Sequence, residues 1–398
     1  MNAELKLKVL IEPSSLTAGR LRPFIREKVL PDFRAWDAAE QIPWEIWDEL
    51  HGLGLWSLCV PRSLGGCGAT AMELAPIMRE LAHGSAALAT AVTASFTAGL
   101  AIFLGAEPAL QAQYARSVLA NGELSCFALT EQEGGSDLTN IQTVAEPVHG
   151  GYLLHGKKCF VTNAAEAKHF VIAARIEGER RTSRSLTLFY VPAGAQGLVV
   201  SPQHHKLGQR AVKTHPIELD EVFVPTEHRI GQEGDALALS YRALQRSRCT
   251  LAAGAVGLAQ RACDLAKNYL AERTSLRKPL LSQPVIRGAL AQYHTLLEAA
   301  WELTAASARD WDYHLPDLHR VNMAKLYAGQ VANEVVSGVM QLFGGWGYTG
   351  SFEIEQLVRD VKFYEFVEGP AFVQQILIAK ELFPAATKEE NPAIRSVA

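Results

Sequence analysis

The hydrophobic period changes twice along the chain, and that change limits the fold more than any other feature. From residue 1 to about 124, apolar residues recur at helical spacing in IPWEIWDELHGLGLW, AMELAPIMRELAHGS and ALATAVTASFTAGLAIFLGAE, with Pro61 and Gly65-Gly66 as punctuation. From about 125 to 232 the period falls to two. HFVIAARI alternates Phe170, Ile172, Ala174 and Ile176, and SLTLFYVPA and PIELDEVFVP share its strand character between Gly and Pro boundaries. From about 233 to 398 steps of three and four return, as in Val256, Ala259, Cys263, Ala266 and Leu270. Two further long stretches run through Val285 to Leu303 and Ala324 to Val339. Short connections between long amphipathic helices favour an antiparallel bundle. The expected order is an α-helical domain (1–124), a compact antiparallel β domain (125–232) and a C-terminal four-helix bundle (233–398), mainly α overall.

Composition narrows the function. The chain has 398 residues, 48% apolar and 20% charged, with a net charge of −4. No basic stripe is present to neutralise phosphates, which argues against nucleic acid as a partner. No apolar run stands out as approaching the roughly 20 residues of a membrane span, and no secretory or transit segment is evident, so a cytoplasmic location and no membrane partner are expected. The six cysteines form no C-x-x-C pair, and His204-His205 lacks partners at ligand spacing, so no metal site is expected.

Five segments in order carry chemistry: FALTEQEGGSD (127–137), GKKCFVTN (156–163), AAGAVGLAQRACDLAKNYLAER (252–273), QLFGGWGYT (341–349) and RDVKFYEFVEG (359–369). Taken singly each has a bland reading, such as an ordinary turn for GGSD or a glycine helix stop for FGGWG. Taken together they resemble the acyl-CoA dehydrogenase family over essentially the whole chain. The resemblance implies FAD and an α,β-dehydrogenation of an acyl thioester to the enoyl thioester. Glu368 is then the base for the α-proton, and flavin N5 accepts the hydride. Abstraction of so weak a C–H acid needs a polarised thioester carbonyl and a partly buried carboxylate.

By the same resemblance Phe127, Leu129, Thr130, Gly135, Ser136, Phe160 and Thr162 bed the flavin, with Phe160 where relatives often have Trp. Arg273, Ser275, Gln341 and Gly345 serve the adenine side of a neighbouring subunit's FAD, and Ser136, Arg248 and Gly369 meet the substrate. Some relatives carry the base on the helix that here reads LQRSRC. The matching position is Ser247, which offers no carboxylate and so favours Glu368.

The family pattern is broken in three places. Leu276-Arg277 replaces Phe-Gly, Pro370 and Phe372 replace the polar residues after Glu-Gly, and Gln245 replaces an Asp. The implied partners are an acyl-CoA or acyl-carrier thioester, an electron-transferring flavoprotein, and further copies of the chain in a homotetramer or homodimer. An acyl-carrier-protein-linked dehydrogenase, a flavin oxidase or monooxygenase, and a non-catalytic descendant remain as alternatives.

Overall fold

A computed structural model of the chain describes residues 16–178, 182, 184–313 and 319–383. The first helices are α1 (Ala18–Phe24), α2 (Phe33–Ala39), α3 (Trp44–Gly52), α4 (Ala71–Gly84), α5 (Ala86–Gly105) and α6 (Pro108–Asn121). Their starts follow from local chemistry. Thr70 and Glu73 form a reciprocal capping box on α4, and the Ser85 hydroxyl accepts from the Leu88 N–H to open α5.

Helix α5 corrects the reading that no apolar run nears a membrane span. An 18-residue window of this 20-residue helix has a mean hydropathy of 1.8, so the helix is long and apolar enough to cross a bilayer, yet 78% of that window is buried inside the protein. The cause is composition: alanines and threonines let α4, α7 (Ala236–Glu272) and the β domain pack closely around it.

Eight strands follow: β1 (Ser125–Ala128), β2 (Val144–Val148), β3 (Gly151–Thr162), β4 (His169–Ile176), β5 (Leu186–Pro192), β6 (Leu198–Val200), β7 (Thr214–Pro225) and β8 (Arg229–Ile230). The sheet runs β6-β7-β3-β2-β4-β5-β8, with β1 added beside β4. Pairing is antiparallel except where β1 and the first two residues of β2 meet β4 in parallel. Both strands run in the same direction as β4, which a purely antiparallel reading does not foresee.

Both faces of β4 are buried. Phe170, Ile172 and Ala174 join the sheet's own core, while Val171 and Ala173 face the helical core. Strand β3 is interrupted twice in its pairing with β7, between Leu154 and Gly156 and between Lys158 and Val161. At the first break Gly156 is obligatory, since at φ +149° a Cβ there meets Thr143 Oγ1 at 2.5 Å. At the second, Phe160 takes φ 55° and its ring leaves the sheet surface, 63% exposed on the cleft wall.

The last region holds α7, a two-stranded hairpin of β9 (Thr274–Ser275) and β10 (Lys278–Pro279), then α8 (Pro284–Asp312), α9 (His319–Leu342), α10 (Ile354–Val361), α11 (Phe363–Phe366) and α12 (Ala371–Leu382). Helices α7, α8, α9 and α12 build the bundle, and α7 also packs on α4 and α5. One large apolar core therefore joins the two helical regions across α7. At the hairpin tip Leu276 (φ 51°) and Arg277 (φ 63°) both occupy the left-handed region. A two-residue turn of this kind prefers Asn-Gly, so the lost glycine leaves strain, and the Leu276 side chain is 91% exposed.

Candidate active site

Glu368 sits in a tight turn between α11 and α12. Val367 is extended, Glu368 (φ 52°) and Gly369 (φ 102°) are left-handed, and Pro370, with its φ fixed near the helical value, opens α12. Three donors from three helices hold the turn's carbonyls. Arg248 Nε (3.3 Å) and Gln374 Nε2 (3.0 Å) donate to the Glu368 carbonyl, and Lys325 Nζ (2.8 Å) and Gln374 Nε2 (3.2 Å) donate to that of Gly369. Gly369 suits this position, since at φ 102° any L side chain is strained.

The turn presents the side chain to a cleft of about 1240 Å³. The Ser247 hydroxyl donates to one Glu368 carboxylate oxygen, and the other, Oε2, is buried with no partner among the described residues. Burial raises the carboxyl to about 7, against the opposing pull of the Ser247 hydrogen bond and the charges of Arg248 and Lys325. The Glu368 backbone N–H likewise donates to no described group. A carboxylate poised near neutrality and a free N–H thus share one residue of the cleft wall.

The cleft gathers most of the residues that the sequence nominated. Phe127, Leu129, Thr130, Gly135, Ser136, Phe160, Thr162, Arg248, Glu368 and Gly369 all line it. A Cβ at Gly135 would meet Thr130 Cγ2 at 2.9 Å, so the chain there lies against its own preceding turn and leaves the floor open. Under that floor Lys158 and Glu131 form a buried pair at 2.8 Å. Burial lowers the Lys158 ammonium to about 8. For Glu131 burial acts upward, but Lys158, Thr143 and the Gln142 N–H outweigh it and hold the carboxyl below its usual range. Lys158 also donates to the Leu129 carbonyl at 3.3 Å, tying the 129–131 segment to β3.

Arg273, Ser275, Gln341 and Gly345 do not line the cleft; all four are exposed, the first two at the end of α7 and its hairpin, Gln341 in the last turn of α9 and Gly345 just after it. Arg248 lines it, yet its Nε serves the Glu368 turn and its Nη1 donates to Asn322 Oδ1 at 2.8 Å. Three participants escaped the sequence reading. Ser247 was considered only as a missing carboxylate, and neither Lys325 nor Gln374 was noticed. A lysine inside the apolar stripe of α9, next to Ala324, was the available signal for Lys325.

The lining also carries Arg184, Lys206, Arg242, Arg248, Arg359 and Lys362 against Glu233, Asp235 and Glu368. This positive excess suits phosphate groups. No hydrogen-bond partner among the described residues takes the hydroxyls of Thr130, Ser136 and Thr162. A large cleft with an aromatic wall, free hydroxyls, excess cations and a near-neutral carboxylate fits a dinucleotide cofactor together with a substrate.

Sequence models of three consecutive domains match the chain: the acyl-CoA dehydrogenase N-terminal domain over 15–123, the middle domain over 126–222 and the C-terminal domain over 235–383. The chain belongs to the acyl-CoA dehydrogenase family.

It is 30% identical over 382 residues to the cyclohexane-1-carbonyl-CoA dehydrogenase of Geobacter metallireducens, covering 94% of this chain and 98% of that protein. It is also 30% identical over 341 residues to the caffeyl-CoA reductase-Etf complex subunit CarC of Acetobacterium woodii, with 85% and 89% covered. Among solved structures, the butyryl-CoA dehydrogenase of Megasphaera elsdenii superposes with a TM-score of 0.87 at 25% identity, over 96% of this chain and 99% of that one. Acyl-CoA dehydrogenases are flavin-dependent oxidoreductases, and the fold of this chain is theirs.

Proposed function

We propose that the protein is an FAD-dependent acyl-CoA dehydrogenase that converts an acyl-CoA to its enoyl-CoA, with Glu368 as the base for the α-proton. The observation that carries this reading is the Glu368 carboxylate, with one oxygen on Ser247 and the other buried and unpartnered at the cleft. Its proton affinity, raised to about 7, matches a base that works near neutral pH. The Glu368 N–H donates to the thioester carbonyl and so acidifies the adjacent C–H. The clamp of Arg248, Lys325 and Gln374 keeps carboxylate and N–H in a fixed relation.

The 127–136 segment, Phe160 and Thr162 would bed FAD, which would supply the two-electron acceptor for the substrate's β-hydrogen. Thr130, Ser136 and Thr162 offer it hydroxyls, and the cationic lining offers its pyrophosphate and that of coenzyme A a favourable field. Arg273, Ser275, Gln341 and Gly345 are assigned to the adenine of a neighbouring copy, in a homotetramer or homodimer; their exposure outside the cleft agrees with that assignment. An electron-transferring flavoprotein is the proposed oxidant of the reduced enzyme, in keeping with the Etf complex of the Acetobacterium relative.

The test is anaerobic addition of acyl-CoA thioesters to the FAD-loaded protein. Bleaching of the visible flavin band by at least one straight, branched or cyclic thioester is expected. A protein that holds FAD and bleaches with none contradicts the reading.

A further inference from the structure

Gln209, in the loop between β6 and β7, is a buried non-glycine residue held at φ 47°. A backbone state this sparse persists only where several contacts impose it, and such residues gather at functional sites. The contacts are visible. Its N–H donates to the Asp360 carboxylate, its Nε2 donates to the Asp360 backbone carbonyl at 3.2 Å, and its Oε1 accepts from the Thr90 hydroxyl at 2.7 Å. Its own carbonyl takes the Val212 N–H at 3.2 Å. A carbonyl can only accept, so the Asp360 contact fixes which end of the amide faces Thr90.

The two partners belong to different walls of the cleft. Thr90 is the first of the row Thr90, Thr93, Ala94 and Thr97 by which α5 lines it. Asp360 is in the last turn of α10, and Arg359, Lys362 and Phe363 beside it line the cleft on the way to Glu368. On either side of Gln209 the loop is fixed to α10. A Cβ at Gly208 would meet the Arg359 carbonyl oxygen at 2.3 Å, and Arg210 and Arg359 share Asp37 Oδ2 at 2.8 and 3.0 Å. Gln209 carries that attachment on to α5 from behind the wall, since it does not itself line the cleft. Glutamine supplies both the acceptor for Thr90 and the donor for the Asp360 carbonyl. Methionine matches its length with no donor and only a weak acceptor.

We propose that Gln209 is a positioning residue, a cross-brace that sets the spacing between the α5 wall of the cleft and the α10–α11 segment that delivers Glu368. The inference rests on the dehydrogenase reading above and adds what keeps the acyl group in register with the base. Without the brace the two walls are free to shift, and a misplacement of ~1 Å costs about 10²-fold in rate.

The experiment follows anaerobic flavin reduction by a straight-chain ladder of acyl-CoA thioesters in FAD-loaded Gln209→Met, Thr90→Val and the double variant. The limiting rate with the best thioester is expected to fall about 10- to 100-fold in Gln209→Met and several-fold in Thr90→Val. FAD affinity is expected to stay within about twofold of wild type in each. The double variant is expected to be no slower than Gln209→Met, because both substitutions break one link. A Thr90 effect exerted directly on the acyl group would instead multiply with that of Gln209. If Gln209→Met does not fold, Gln209→Asn replaces it in the same cycle, since asparagine tolerates the left-handed backbone and is too short to reach both partners. Rates within about twofold of wild type in both single variants, or losses that multiply, overturn the brace whether or not Tm falls, and leave the dehydrogenase intact. Failure of every thioester to reduce the wild-type flavin removes both readings together.

Discussion

Glu368 is a non-glycine residue held at φ 52°, a backbone state that costs about 1–2 kcal/mol and survives because the surroundings determine it. Its carboxyl is raised from 4.5 to about 7, so between those values the folded chain binds a proton that the unfolded chain has lost. Stability therefore falls as pH rises through that window. Glu368→Gln is expected to be more stable than wild type at pH 8, by on the order of 2 kcal/mol, with little difference at pH 4; urea titrations at both pH values check this. Activity has the opposite dependence. The base must be unprotonated, so kcat/KM drops about tenfold per pH unit below about 7. Ser247 stabilises the charged form, and Ser247→Ala is expected to move that limb to higher pH while leaving the high-pH plateau nearer to wild type. A pH profile unmoved by Ser247→Ala contradicts the role assigned to the hydroxyl.

At the scale of elements, the turn between α11 and α12 is a part of the bundle. Lys325 on α9 reaches the Gly369 carbonyl, Arg248 on α7 the Glu368 carbonyl, and Gln374 on α12 both. Burial, the first influence on Lys325, lowers its ammonium to about 8 against the upward pull of Glu368. Lys325→Met is expected to cost about 1–3 kcal/mol in thermal or urea unfolding, because the Gly369 carbonyl loses its charged donor and keeps only Gln374, and to raise the pH of the rate limb by withdrawing a cation from Glu368. The helix-then-sheet-then-helix order was legible because apolar residues at helical spacing give way to short apolar runs between Gly and Pro, although β4, buried on both faces, carries no true alternation. The parallel pairing of β1 with β4 was not, since pairing depends on where a connection returns and leaves no mark on period. Nor was the burial of α5, whose composition passes for a membrane span. Pro370 was legible as a helix opener. The clamp around it was not, because Lys325, Arg248 and Gln374 come from three separate helices.

Over the whole molecule, the cleft exists because one helix, α7, belongs to both helical regions while the β domain closes against its N-terminal half. Motif order located this cleft before any geometry was known, and ten nominated residues meet there. Arg273, Ser275, Gln341 and Gly345 lie elsewhere, exposed outside the cleft, and the proposed function gives them to the cofactor of a second copy. Sedimentation is accordingly expected to show an assembly larger than one chain, and Arg273→Ala to lose FAD on dilution with its secondary structure unchanged. A stable FAD-replete monomer contradicts that arrangement. The central claim concerns one proton, and solvent-deuterium exchange at the substrate α-carbon measures it directly. With FAD and thioester bound, wild type is expected to exchange the α-hydrogen about 10²- to 10⁴-fold faster than Glu368→Gln, both retaining flavin and thioester binding. Equal exchange rates in the two proteins contradict the assignment of Glu368 as the base.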